Sequence, residues 1–480
     1  MPPTDTAGQL DADLLISSAH TATNDLVTRN TLGRHLPGAA WFVLAGLVVM
    51  LSALATQGAD LFWGVAMGDH IRAGLGIPQS VPFAAAPSRG WANPLALGEV
   101  VLSAVHSLGS SSLLVLHLTL VTAALGVLLA HGQAHQRESR ASTALVLVVF
   151  GGATTFAIAR MPSLSFLPYA VLVVLLLQNA DRPSRRLWLT VPLLCLWGNL
   201  HGGVLVGCAL LAVHLVCVGG PLRRRTLVGS SAFAAVLLAT SAGWHTVDYY
   251  RGVLGNEAAR QGAGLWAPTS VHRPFDLIML GASAGLVAMW SRSHPRRWEV
   301  VAVVGMAVAT LVASRNSIWL LLFLLPLAAR GRSSADYVPR QRFPFIPAAA
   351  AVAMLLAGIG WQLTTRGSAV NADGAAAVPA VQKLAAGRTV LTLAPVAETF
   401  AQAGIRVWAS NPIDAFPRDV QRQYLAFVDH GSIPSTPRVG LIVVDNEYVS
   451  QVREAGWSQV AVVSNLHVFE PPARPREGKH

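Results

Sequence analysis

Lysine is almost absent from this 480-residue chain: only Lys383 and Lys479 occur, and arginine supplies the other basic residues. Charge of either sign is scarce, at 12% of residues against 53% hydrophobic, and the mean hydropathy is +0.49. Soluble globules carry about 25% charged residues, so the composition excludes that class and places the chain in a bilayer. The net charge of +11 and the sequence pI near 10.5 would suit a nucleic-acid partner. The arginines, however, sit in small clusters between apolar runs, where they set topology, and no nucleic acid is expected. Cysteine is limited to Cys195, Cys208 and Cys217, all inside apolar runs and without metal-site spacing, so they read as small core residues. A short apolar stretch with a small-residue cleavage site is also missing, which makes the first apolar run an uncleaved anchor. There is no nucleophile elbow, no zinc helix motif and no glycine-rich phosphate loop after a strand. These absences count against a hydrolase and a nucleotide enzyme. The bias towards arginine and alanine fits a bacterial genome of high GC content, so the bilayer is expected to be the bacterial cell (inner) membrane.

Apolar runs of spanning length, about 17–25 residues, or slightly less lie near 39–56, 111–131, 141–158, 163–178, 187–200, 202–218, 226–242, 274–292, 298–313, 316–331 and 344–363. The run 95–108 carries Glu99 and His106 and reads as an interfacial or re-entrant helix. With residues 1–38 as a disordered cytoplasmic tail, alternate loops hold Arg137 and Arg140, Arg182 to Arg186, Arg223 to Arg225, Arg292 to Arg297, and Arg330 to Arg342. This pattern obeys the positive-inside rule. About eleven spans (39–363) then deliver the C-terminal region to the outside. Over 364–470 the apolar runs shorten to TVLTL, IRVW, VGLIVV and QVAVV, with helical stretches near 396–403, 418–430 and 447–455. Strands alternating with helices predict an extracytoplasmic α/β domain with a largely parallel sheet. Residues 471–480 read as a disordered tail. The fold class expected is thus a polytopic α-helical membrane protein with a C-terminal extracytoplasmic α/β domain.

Nearly all conspicuous polar residues fall at the outer ends of these spans. Asp60 begins the first outer loop, about 57–110, followed by Asp69, His70, Trp91, Asn93 and Glu99. A carboxylate at the lipid–water boundary can reach a lipid-linked substrate and a polar acceptor together. Arg160, Asn199 with His201, and Arg315 with Asn316 come from distant spans to the same side. Ionisable groups at membrane depth are costly, so their convergence points to a function. His201 before Gly202 and Gly203 reads equally as a binding group or as part of a tight turn. The loop 243–273 adds Trp244, Tyr249, Tyr250, Glu257 and Trp266, either a sugar-stacking surface or an interfacial aromatic belt. Asp60, Asp69 and His70 supply oxygen and imidazole groups of the kind that ligate a divalent ion, although hydrogen bonding is the commoner use of such a set; otherwise no cofactor is called for. Polar groups clustered at one face, rather than spread through the midplane, count against a transporter or flippase.

ADLFW, the GIP that follows, WANP, ARMP, WGNLHGG and SRN occur in an order that resembles bacterial membrane proteins related to the GT-C glycosyltransferases, over about residues 57–331. The resemblance implies transfer of a sugar from a polyprenyl-phosphate carrier to an envelope glycan, lipid or protein on the non-cytoplasmic face. It also implies Asp60 as the acid of the first outer loop, and makes Arg160, Arg315 and His201 candidates to stabilise the leaving phosphate. The chain departs from the usual pattern at Phe62 to Gly64, where many relatives have a Trp-Trp-His run, at Val81, where they have aspartate, and at Pro94-Leu95, where they have His-Glu. A catalytically inactive relative that binds lipid-linked sugar or scaffolds an envelope complex is therefore the alternative.

Overall fold

The computed structural model describes residues 38–330 except 89, 110, 134–137 and 219, the isolated positions 357 and 360, and residues 372–472 except 435–438. The expected N-terminal tail and the eleventh span fall almost wholly outside the described residues, as does most of the C-terminal tail. Each remaining apolar run becomes a helix, the form in which a single segment satisfies its own backbone in lipid. In chain order the helices are α1 (Ala39–Leu54), α2 (Ala59–His70), α3 (Ala96–His106), α4 (Ser112–Gln133), α5 (Glu138–Gly151), α6 (Phe166–Asp181), α7 (Thr190–Leu200), α8 (Val204–Cys217), α9 (Leu222–Leu238), α10 (Thr246–Gly255), α11 (Pro274–Ser291), α12 (Arg297–Val312) and α13 (Ser317–Ala329). Three of them, α2, α3 and α10, form in the stretches expected as outer loops.

Among the described residues three helical stretches, Ser112–His131, Met161–Asp181 and Pro274–Ser291, are long and apolar enough to cross a membrane. The pair Leu222–Leu238 and Gly243–Gln261, bent by 97°, makes a fourth if counted as one. The expectation of about eleven spans thus rests elsewhere on apolar helices of 10–17 residues. Two of the runs enter through 3₁₀ turns, at Arg185–Leu189 before α7 and Ser314–Asn316 before α13.

Helix α13 is buried at every residue, as expected for a helix that is apolar all round. It forms the pillar of the bundle. Trp319 on it packs against Tyr169 of α6 and Trp197 of α7 at ring-centroid distances of 5.1 and 6.2 Å. The Tyr169 hydroxyl donates to the Trp319 carbonyl at 2.7 Å. α6 and α7 are thereby fixed to the pillar at one end, and Ser165 and His201 lie at that end.

The C-terminal segment comprises α14 (Ala372–Ala385), α15 (Val396–Gln402), α16 (Arg418–His430) and α17 (Val449–Glu454) around a sheet of β3 (Thr389–Thr392), β4 (Val439–Val444), β5 (Ser458–Val463) and β6 (Leu466–Glu470). A separate two-residue pair, β1 (Thr56–Gln57) and β2 (Ile158–Ala159), lies in the membrane half. The larger sheet has the order β3-β4-β6-β5, and only β3 and β4 are parallel. This corrects the expectation of a largely parallel sheet: β5 and β6 form a tight antiparallel hairpin, and β6 pairs antiparallel with β4. The LHVFE strand was hidden because only two residues separate it from QVAVV. The expected strand at 405–408 pairs only as isolated bridges, Val407 lying between Val390 and Ala84. Through it the first loop joins the C-terminal sheet, with Ala85 and Ala86 N–H donating to Val407 and Trp408 carbonyls at 2.8 Å.

Candidate active site

Asp60 and Arg160 meet because of β1 and β2. That parallel ladder pairs Thr56 with Ile158 and Gln57 with Ala159, and Gly58 N–H extends it to the Ala159 carbonyl at 2.8 Å. Two residues further on, Asp60 enters the first turn of α2 while Arg160 precedes a 3₁₀ turn over Met161–Ser165. Arg160 Nε lies 3.2 and 3.1 Å from the two carboxylate oxygens of Asp60, and Nη2 is 2.9 Å from Oδ2. Side-chain exposure is 28% for Arg160 and 14% for Asp60, so the pair is largely withdrawn from solvent. Gly58 makes the approach possible, since a Cβ there would lie 2.8 Å from Arg160 Cγ and 3.1 Å from the Ala159 carbonyl oxygen.

His201 follows α7. Its Nδ1 accepts the Gly203 N–H at 3.0 Å and lies 2.7 Å from Ser165 Oγ, which itself accepts the Trp197 indole N–H at 2.7 Å. The Ser165 hydroxyl therefore donates to Nδ1, and the ring proton resides on Nε2. Burial, then the charges of Arg315 and Arg160, push the imidazole down to about 3, so His201 is a neutral donor. Arg315 stacks on Trp266 at 4.3 Å from the ring centroid. Burial and Arg160 both lower its guanidinium, while Asp60 and Tyr249 act in the opposite sense, so these four groups share one electrostatic neighbourhood. Gly202 sits against Tyr249, where a Cβ would come 3.0 Å from the hydroxyl.

Glu99 is fully buried on α3, with Oε2 accepting Asn93 Nδ2–H at 2.7 Å and Oε1 without a partner. Burial pushes its carboxyl up to about 8. Two glycines bring the supporting backbones together: a Cβ on Gly68 would lie 2.1 Å from the Glu99 carbonyl oxygen, and one on Gly98 would lie 2.2 Å from that of Leu200. These contacts stitch α2, α3 and the end of α7, the elements that carry Asp60, Glu99 and His201.

The C-terminal segment adds acids of its own. α15 packs on α2 and places Glu398, fully buried, within electrostatic reach of Asp60. Its Oε1 accepts Asn411 Nδ2–H at 2.9 Å and its Oε2 has no partner. Asp414 accepts the Trp91 indole N–H at 3.1 Å, and burial pushes its carboxyl up to about 6. Glu398, Asp414 and Ser165 were not singled out by sequence reasoning. The available signal was Glu398 as the lone charge in VAETFAQ.

The structure brings Asp60, Arg160, His201, Trp266 and Arg315 together, with Glu99 and Asn93 behind them and Trp91 at the junction with the C-terminal segment. Asp69 and His70 stand apart. Nine residues along a helix is half a turn out of phase and about 13 Å away, and Asp69 instead accepts the Ser103 hydroxyl at 2.5 Å. Among the described residues no three His, Cys, Asp or Glu side chains are grouped to hold a metal ion. Asn199 donates to the Cys195 and Ala239 carbonyls at 2.9 and 2.7 Å, and Asn316 to the Ala309 carbonyl at 3.0 Å, so both amides brace helix ends.

No protein-family model and no curated protein sequence matches the chain. Solved structures do. ArnT from Cupriavidus metallidurans, bound to undecaprenyl phosphate, aligns with a TM-score of 0.52 at 12% identity, covering 94% of this chain and 99% of that one. The archaeal oligosaccharyltransferase AglB from Archaeoglobus fulgidus, in complex with an inhibitory peptide and a dolichol-phosphate, aligns at 0.53 and 12% identity over 86% of this chain and 70% of that one. The chain therefore has the GT-C membrane-enzyme fold.

Proposed function

We propose that this chain is a GT-C-type glycosyltransferase that moves a sugar from a polyprenyl-phosphate carrier to a cell-envelope acceptor on the non-cytoplasmic face of the bacterial inner membrane. The observation that carries the reading is the meeting of one carboxylate, Asp60, with three donors, Arg160, Arg315 and His201, drawn from separate parts of the bundle. The donors exceed the carboxylate in positive charge, which suits a lipid phosphate. The fold likeness to ArnT and AglB, whose structures hold polyprenyl phosphates, supports the same ligand class. The arginine-rich loops at the opposite end of the helices support a cytoplasmic assignment for that end.

The chemistry follows from the geometry. The donor's phosphate recruits Arg315, which has no ion-pair partner among the described residues, together with the Nε2–H of His201. It then competes with Asp60 for Arg160. The freed carboxylate takes the proton of the acceptor hydroxyl as its oxygen bonds to the anomeric carbon. The anomeric carbon–oxygen bond to phosphate breaks, and its electron pair leaves on the polyprenyl phosphate, whose charge the two arginines balance. Trp266, held flat by Arg315, offers an apolar face for a sugar ring.

A second reading, a lipid-linked-sugar binder without turnover, is favoured by the closed Asp60–Arg160 fork and by the three altered positions of the first loop. Transfer of radiolabelled sugar from a panel of polyprenyl-phosphate donors to envelope fractions, in nanodiscs, separates the two. Label incorporated by the wild type and lost in Asp60→Asn supports the enzyme. Binding of donor without incorporation, with a verified acceptor pool, supports the binder.

A further inference from the structure

The end of the bundle away from Asp60 carries a second site. Helices α6 and α8 finish there and α9 begins there. The turns between them leave a cleft lined by Asn179, Leu187, His214, Gly220, Arg224 and Arg225. Two of its buried polar atoms, on His214 and Arg225, have no hydrogen-bond partner. Asn179 Nδ2–H donates to His214 Nε2 at 3.0 Å, which puts the ring proton on Nδ1, and that atom is buried with no acceptor. His214 itself is only 1% exposed. Arg225 Nε–H is likewise buried and unpartnered, although its Nη2 donates to the Val216 carbonyl at 3.1 Å. Arg224 donates to the Ser184 carbonyl, a neutral group that leaves its charge uncompensated. Among the described residues none of Arg182, Arg185, Arg186, Arg223, Arg224 or Arg225 forms an ion pair, and the adjacent Asp181 is taken by Arg296.

Positive charge in this position would by itself only set topology. Unpartnered buried donors are another matter, because each is destabilising unless something accepts from it. The surroundings fit a lipid: Trp188, Leu189, Val216 and Leu222 are exposed large apolar side chains flanking the cleft, where acyl chains would lie. The geometry points to a phosphate-binding cleft formed by His214, Arg224 and Arg225 that holds the headgroup of an anionic phospholipid at the end of the bundle opposite Asp60. This site is separate from the proposed transfer chemistry and does not require it.

The test uses the full chain purified in detergent, titrated with phosphatidylglycerol or with phosphatidylcholine, and bound lipid per chain read by native mass spectrometry. Phosphatidylglycerol should bind the wild type at least about ten-fold more tightly than phosphatidylcholine, and Arg224→Gln with Arg225→Gln should lower its affinity about thirty-fold. Arg185→Gln with Arg186→Gln, outside the cleft lining, should lower it only a few-fold. Saturation by inorganic phosphate, with no preference for the lipid, supports the anion site and makes a soluble phosphate its source. Equal binding of the two lipids by the wild type, a comparison that needs no variant to fold, together with no effect of inorganic phosphate, overturns the proposal. An equal loss in both double variants also overturns it, since that would mean general surface attraction.

Discussion

Replacing Asp60 by asparagine should separate carrier binding from turnover, because the two depend on this carboxylate with opposite sign. Arg160 is held by Asp60 through contacts of 2.9 to 3.2 Å, and a phosphate that recruits Arg160 must break them. Exposed pairs contribute about 0–1 kcal/mol and losing one partner of a buried pair costs about 3–5 kcal/mol. With 28% and 14% of the side chains exposed, this pair falls between. About 1–2 kcal/mol is then returned to phosphate binding when the charge is removed, so polyprenyl phosphate should bind Asp60→Asn about 5- to 30-fold more tightly. Transfer should fall by at least about 100-fold, because an amide cannot take the acceptor's proton. Arg160→Gln should weaken carrier binding instead. Polyprenyl phosphate is titrated against each variant in nanodiscs by microscale thermophoresis, with label transfer measured on the same preparations. Unchanged or weaker carrier binding by Asp60→Asn refutes the exchange of Arg160 between carboxylate and phosphate. Undiminished transfer refutes the role of Asp60 as base.

Gly68→Ala would put a methyl 2.1 Å from the Glu99 carbonyl, where only backbone can give way. Separating α2 from α3 should lower stability by about 1–3 kcal/mol and transfer by about 100-fold, read by thermal melts and label incorporation. Arg315→Gln should weaken polyprenyl-phosphate binding about ten-fold or more, read by the same titration, and unchanged binding would remove Arg315 from the phosphate site. Asp414 titrates near 6 in the folded chain against an ordinary 3.8, so the folded state binds the extra proton. Its contribution to stability is full below about pH 4 and is lost as pH rises to 6. The melting temperature of Asp414→Asn should therefore exceed that of the wild type at pH 8 and approach it at pH 4.5, and the reverse ordering would contradict the assignment.

Much of the membrane half was legible because its signals are local. Apolar length gave the positions of α1, α4 to α9 and α11 to α13 to within several residues, while α2 and α10 lie in stretches expected as outer loops, and the polar residues at the helix ends came from Asp60, ARMP, WGNLHGG and SRN. Chain pattern could not reveal which of those residues meet. Asn199 and Asn316 stand beside His201 and Arg315 in sequence, yet their amides turn back onto carbonyls of the preceding helices. Asp69 looked like a partner of Asp60 only until helical phase was applied. The sheet was misjudged for a different reason: a two-residue turn at Ser464 and Asn465, with Ser464 at φ 52°, left little to separate β5 from β6. Glu398 and Asp414 were out of reach altogether, because their position depends on α15 docking onto α2 and on Trp91 reaching across 323 residues.

Those two acids bear on the altered first loop. Val81 and Leu95, where the resembled family carries acidic or His-Glu positions, are each 3% exposed and serve the packing of the loop. Val81 N–H is held by Ser88 Oγ at 2.9 Å and Leu95 N–H by Asn93 Oδ1 at 3.0 Å, so the loop keeps its shape without those side chains. Two carboxyl groups reach the neighbourhood from the C-terminal segment, Glu398 within electrostatic range of Asp60 and Asp414 accepting the Trp91 indole N–H. Both are buried with raised affinities for protons. A buried carboxyl with an unpartnered oxygen is costly to keep where packing alone is needed. Glu398 therefore places a second buried carboxyl within electrostatic reach of Asp60, the carboxylate that Arg160 holds, and Glu398→Gln should remove that repulsion and leave the Asp60–Arg160 pair in place.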